Sequence, residues 1–300
     1  MAITGVTTTS SMSGVTAREV DFVTRFADNW QALTDILGIM RPIKKAPGTQ
    51  LVSYTAAPKT ALAGQVGEGQ EIAFTEFKVT PKTYENITLE KYAKSVSAEA
   101  IAKYGAAVAI EKTDDAFLVS LQNAVLTKFY TFLATGTLTK TETTWQRALA
   151  MAKGLVLNKF SKINKSVSDV VAFANVMDYY DYVGNRPITV QTYNGIQYVK
   201  DFMGYGTVFL LDEDKVPAGK VFATPVENID LYYVDPSDPD FAKSGLVYTT
   251  DGVTNLIGFH AEGQYSTASG NSYAIMGLTL WAEYLDGIAV VTVSAAGIGG

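Results

Sequence analysis

His260 is the only histidine in the chain. Any Ser–His–Asp or Cys–His arrangement would have to use it. It lies in GFHAEG, and no G-x-S-x-G elbow supplies a nucleophile. The residue therefore reads as a structural or surface histidine. A second candidate is GEGQEI, Gly67 to Ile72. Two glycines could bring backbone N–H groups close to a phosphate. The third glycine of G-x-G-x-x-G is missing and no helical pattern follows, so nucleotide binding is not supported. No G-x-x-x-x-G-K-[ST] occurs. Asp235, Asp238 and Asp240 could offer oxygen ligands to calcium, but the prolines between them spoil an EF-hand loop. They read as a solvated acidic turn. Asp114 and Asp115 are neighbours on a helical pattern and point in different directions, which disfavours a catalytic carboxylate pair. Asp114 falls near the apolar stripe and is expected to meet a basic residue from another element. Asn86-Ile-Thr88 and Asn164-Lys-Ser166 match the glycosylation pattern and read as chance matches. No active site, cofactor site or metal site emerges, so the expectation is a non-enzyme.

The composition narrows the class further. The chain has 300 residues, 47% hydrophobic and 18% charged, which suits a folded globular protein. There is no cysteine, which excludes disulfides and thiolate metal sites. No apolar run approaches the ~18–20 residues of a membrane span. MAITGVTTTSSMSG lacks the basic and apolar regions of a secretory signal and reads as a short flexible arm over 1–15. Net charge is −6 and the pI about 4.9. A basic nucleic-acid groove is disfavoured, and any contact with DNA should be weak.

The elements follow from periodicity. From Thr16 to Gly38, Val20, Val23, Phe26, Trp30, Leu33 and Leu37 predict one helix face. Thr16 would cap it with Glu19 as the capping-box partner, and Gly38 and Pro42 would end it. Residues 48–94 read as extended. In EIAFTEFKVT the apolar phase slips from Ile72, Phe74 to Phe77, Val79, which predicts a β-bulge near Thr75–Glu76. A short helix, Ser97 to Tyr104, is split by Gly105 from a long one. That long helix spans Ala106 to Ala134 on Ile110, Phe117, Leu121, Val125, Phe129 and Phe132. Its length is about 29 residues, or ~43 Å. Helix over Trp145 to Phe160, a buried strand in SDVVAFANV, a tyrosine-rich helix and further strands come next. Near the end, Asp286-Gly287 between two β-rich runs predicts a hairpin. The fold class is mixed α+β.

One feature organises these elements. Residues 50–57 and 70–80 predict a two-stranded arm, ~25–35 Å long. Its tip carries Gly64, Gly67 and Gly69 with too few large apolar residues for a core. An isolated hairpin is marginal in water and its edges invite pairing, so the arm needs a partner surface. The pattern in KTYENITLEKYAKSVSAEAIAKYG, running into the long helix EKTDDAFLVSLQNAVLTKFYTFLATG, resembles the major capsid proteins of tailed bacteriophages with the HK97-type fold. The likeness is strongest over 48–135 and rests on order and size over 136–295.

The resemblance implies the following. Residues 16–47 are the N-terminal helix region, and 48–95 the E-loop arm and P-domain strand. Residues 96–136 carry the P-domain spine helix, 137–265 are mainly the A-domain, and 266–300 hold the late hairpin and C-terminus. It implies an icosahedral shell of hexameric and pentameric capsomers around double-stranded DNA. The E-loop tip, Gly64, Gln65, Val66, Gly67, Glu68 and Gly69, would lie on a neighbouring subunit. Scaffolding, portal and decoration proteins would be further partners, with no membrane and no cofactor. The location would be the virion, assembled in the host bacterial cytoplasm. Some members carry a Lys–Asn cross-link from the E-loop. The tip here has no lysine, although Lys59, Lys78 and Lys82 flank it, so no pair is assigned. An encapsulin-like shell enclosing protein cargo is the alternative within the same fold. A soluble enzyme or carbohydrate-binding module using its 17 tyrosines and 3 tryptophans is the alternative from another class.

Overall fold

The N-terminal helix forms as α1, Ala17–Leu37, in a computed structural model that describes residues 17–37, 42–58, 67–71, 74–184, 189–193 and 196–294. The expected cap Thr16 and stop Gly38 lie outside the described residues. The buried face of α1 is Glu19, Phe22, Val23, Phe26, Ala27 and Trp30. Val20, expected in the apolar stripe, is 46% exposed. Among the described residues, Val23, Phe26 and Trp30 are buried as expected, and the stripe departs only at its start, where Glu19 and Phe22 point inward. The Glu19 carboxylate accepts from Thr249 Oγ1 at 2.8 Å and from the Ala261 N–H at 2.6 Å. Glu19 thus binds other elements and Phe22 takes the core position, while the expected capping box with Thr16 lies outside the described residues.

The arm is present with corrected boundaries. After β1, Ile43–Lys44, strands β2, Gln50–Pro58, and β3, Phe77–Asn86, pair antiparallel. The return strand starts at Phe77, opposite Pro58, rather than at residue 70. No bulge lies at Thr75–Glu76. The phase slip in the sequence marks the start of β3, and the register irregularity lies between Gln50 and Val52. Strand β4, Glu90–Ser97, then joins a different sheet.

Ser97 caps α2, Ala98–Tyr104, by accepting from the Ala100 N–H. Gly105, with φ +79°, ends it, a conformation that costs glycine little. The expected long helix is a π-helical turn, Ala107–Glu111, running into α3, Lys112–Leu133. Its buried face holds Asp114, Leu118, Leu121, Val125, Leu126, Phe129, Tyr130 and Leu133. Phe117 and Phe132 pack only partly against that core.

The rest builds two sheets. Its elements are β5 (Leu138–Glu142), α4 (Trp145–Lys162), β6 (Val170–Asn175), α5 (Val176–Val183), β7 (Gln191–Tyr193), β8 (Ile196–Phe202) and β9 (Tyr205–Leu211). Then come β10 (Lys220–Pro225), β11 (Ile229–Val234), α6 (Pro239–Lys243), β12 (Ile257–Gln264), β13 (Ser269–Ala282) and β14 (Ala289–Val293). One sheet has the order β5-β14-β10-β6-β9-β8-β7; the other runs β1-β11-β13-β12, with β4 also on β13. Strand β6 explains how they stack. Val170, Ala172 and Ala174 face α4 and α5, meeting Ala148, Ala152 and Tyr179. Val171 and Phe173 face the core shared with α1, α3 and the second sheet. Burial on both faces makes β6 read as a continuous apolar run.

The late hairpin is a correction. Strand β13 pairs with β4, β11 and β12, whereas β14 pairs with β10 and β5. The Asp-Gly pair sits in a 3₁₀ turn, Leu285–Gly287, that carries the chain from one sheet to the other. Asn228 fixes the exit: its amide accepts from the Tyr284 N–H at 2.7 Å and donates to the Tyr284 carbonyl at 2.9 Å. A Cβ on Gly287 would come within 2.6 Å of the Phe160 ring. The glycine serves close packing, not a hairpin turn.

Candidate assembly surface

Among the described residues, backbone hydrogen bonds anchor the arm at its root. The Gly48 N–H donates to the Ile87 carbonyl and the Ile87 N–H to the Thr49 carbonyl, both at 3.0 Å. Ile87 is buried with Val234 and Trp281. Beyond that point β2 and β3 form a sheet of their own. Tyr54 is 68% exposed, Phe77 55% and Val79 56%, and Phe74 is fully exposed. Aromatic and aliphatic groups in such a position keep apolar surface in contact with water. Within the tip, the Gln70 N–H closes a turn on the Gly67 carbonyl at 3.1 Å. Gly69 has φ +79°, and Gly67, Glu68 and Gly69 are exposed. Gly64, Gln65 and Val66 lie outside the described residues. A strand, not a helix, follows the tip, so it lacks the helix N-terminus of a phosphate cradle.

The candidate chemical groups are engaged structurally. Asp114 is 3% exposed. It receives a bidentate pair from Arg18 and an ion pair from Lys94 at 2.6 Å. Arg18 also donates to Ser272 Oγ at 2.9 Å. Burial pushes the Asp114 carboxyl up, but the hydrogen bonds from Arg18 and Lys94 outweigh it and hold the group below the usual carboxylate range. Lys94 shares that single anion with Arg18, and its burial lowers it. Sequence pattern found the position of Asp114; only the fold could show its partners.

His260 has Nδ1 3.5 Å from Glu19 Oε1 and Nε2 3.9 Å from Glu262 Oε2. It therefore sits between two carboxylates. Asp235 accepts from Lys44 Nζ at 2.7 Å and from the N–H and hydroxyl of Ser237. Burial raises its carboxyl, and these bonds bring it net below the usual range. Asp238 caps α6 through the Asp240 N–H. Among the described residues no group of metal-ligating side chains converges, and no helix is long and apolar enough to cross a membrane.

The fold defines the class. Solved structures similar to this chain include a cyanophage A-1(L) capsid asymmetric unit, with 13% identity, 86% of this chain and 92% of that one covered, and a TM-score of 0.53. A Mycobacterium phage Ogopogo chain is also similar, with 13% identity, coverage of 86% and 91%, and a TM-score of 0.51. So is the holo-SrpI encapsulin complex of Synechococcus elongatus PCC 7942, with 12% identity, coverage of 91% and 89%, and a TM-score of 0.50. No family model matches the sequence, and no curated protein matches it. The chain has the α+β, HK97-like capsid fold.

Proposed function

We propose that this chain is a shell-forming subunit, the major capsid protein of a tailed bacteriophage, and that it acts by self-assembly and not by catalysis. The observation that carries the reading is an arm with exposed apolar side chains on an HK97-like fold. In this reading the sheet containing β4, with α1 and α3, is the peripheral domain. The seven-stranded sheet with α4 and α5 is the axial domain. The arm tip, Gly64 to Gly69, lies on a neighbouring subunit within hexameric and pentameric capsomers. The net charge of −6 suits a wall that packaged DNA touches weakly. Scaffolding, portal and decoration proteins complete the particle, assembled in the host cytoplasm.

An encapsulin-like compartment is the second reading. It draws on the encapsulin likeness, which spans 91% of this chain. Negative-stain electron microscopy and light scattering of the purified protein test both. Shells, or discrete hexamers and pentamers, are expected; a monomer that persists at high concentration overturns both. Nucleic acid inside the particles favours the phage, and protein cargo favours the compartment.

A further inference from the structure

The β2–β3 register sorts the arm into two unlike faces. Tyr54 lies opposite Pro81, position 56 opposite Val79, and position 58 opposite Phe77. Directly opposed residues share a face and alternate residues return to it. One face therefore collects Tyr54 with Phe77, Val79 and Pro81. The other carries Lys78 and Thr80. The ribbon is amphipathic, and the apolar side chains described on it are exposed.

The two prolines say how the ribbon engages a partner. A proline has no N–H, so the 54/81 and 58/77 pairs cannot be the hydrogen-bonded pairs of an antiparallel ladder. They are the alternate pairs, in which each residue's N–H and C=O point away from the partner strand. Pro58 thus removes a donor from the outer edge of β2, and Pro81 removes one from the outer edge of β3. Proline on an edge blocks the addition of another strand. Both edges of this arm are blunted while one face is left apolar.

We infer that the arm docks face-on, through the Tyr54–Phe77–Val79–Pro81 face, onto a second copy of this chain, and not by adding a strand at either edge. The inference rests on the shell reading above and names the face that makes its contact. Area points to the second copy. Eight paired positions give a face roughly 25 Å by 10 Å, on the order of 250 Å². A free-standing complex of standard size buries about 800 Å² on each partner. The ribbon face is too small to hold a soluble partner alone. It suits a neighbour already held by other contacts and repeated around a ring, where each weak contact becomes intramolecular.

The absence of cysteine makes the test direct. Phe77→Cys, Val79→Cys, Lys78→Cys and Thr80→Cys would each place one thiol on a known face. Maleimide labelling is compared between dissociated and assembled protein. Labelling at 77 and 79 should slow on assembly by about tenfold or more, while 78 and 80 change by less than about threefold, because buried sites react only on opening. In parallel, Val79→Glu should block assembly and Thr80→Glu should not, with both subunits melting like the wild type.

Equal protection of both faces, or protection of 78 and 80 alone, overturns face-on docking. So does protection that appears only when a second protein is added. Particles that form with 77 and 79 unprotected overturn this inference and leave the shell reading intact. A wild type that never assembles overturns both.

Discussion

Arg18 and Asp114 meet as a planar fork, Nε to Oδ2 at 2.6 Å and Nη2 to Oδ1 at 2.8 Å, and this pair ties α1 to α3. Lys94 of β4 reaches the same carboxylate, so one aspartate holds a helix, the long helix and a strand together. Glu19, the next residue of α1, binds Thr249 and Ala261 on the other side. Replacing Asp114 by alanine leaves Arg18 and Lys94 facing each other without an anion. Breaking a buried pair costs about 3–5 kcal/mol. The Arg18 side chain is 32% exposed and can turn to water, so the lower end, about 3 kcal/mol, is expected. Urea unfolding of the subunit measures it; a loss near zero would refute the anchoring role.

The same carboxylate sets an acid limit. Asp114 and Asp235 are both held below the ordinary range in the fold. Groups depressed in this way contribute stability that is fully present above the unfolded value, about 3.9, and lost as pH falls through the folded value. Asp178 and Asp230 have the opposite sign, raised chiefly by burial. Their contribution is present below about 3.9 and fades as pH rises through their folded values. Wild type should therefore lose more stability on acidification below that point than Asp114→Asn does. Denaturant midpoints measured through the acid range check this, and parallel pH profiles for the two proteins would contradict it.

Gly136 closes the turn after α3 against Ile288, just before β14. A Cβ there would lie 2.8 Å from the Ile288 carbonyl oxygen and 2.9 Å from its Cβ. Those atoms cannot swing aside as a long side chain can. Gly136→Ala should cost about 1–3 kcal/mol through overpacking. Gly154→Ala, where nothing lies within 4 Å, is the control and should be neutral or mildly stabilising, since alanine favours a helix over glycine by about 1 kcal/mol. Thermal unfolding of the two variants separates them, and equal melting temperatures would defeat the argument.

Local pattern carried the helices and much less of the sheets. The span of α1 and the Gly105 break followed from period and backbone chemistry, and Asp114 was placed near the buried stripe by spacing alone. What local pattern missed is non-local. Nothing near Glu19 in sequence reveals its bonds to Thr249 and Ala261, which lie far along the chain. Asp286-Gly287 looks like a hairpin turn because nothing nearby reveals that β13 already has β4, β11 and β12 as neighbours. The arm was legible as two strands, but its amphipathic sorting was not. A shift of one residue in register would have put Val79 and Lys78 on each other's faces.

The last prediction concerns the tip. The ladder ends at Pro58 opposite Phe77, so Ala61 to Gly69 lies beyond its final pair. Gly67, Glu68 and Gly69 are exposed and add nothing to the core. Removing Ala61 to Gly69 should leave β2, β3 and both sheets intact, with subunit stability changed by no more than about 0.5 kcal/mol, as for surface changes elsewhere. Assembly should be impaired, because the proposed reach to the neighbour is shortened while the anchoring root at Ile87 is kept. Urea unfolding and electron microscopy of the same preparation give the two readouts. An unfolded subunit would show that the tip belongs to its own core. Normal particles from a folded subunit would remove the tip from the contact and leave that role to the paired strands alone.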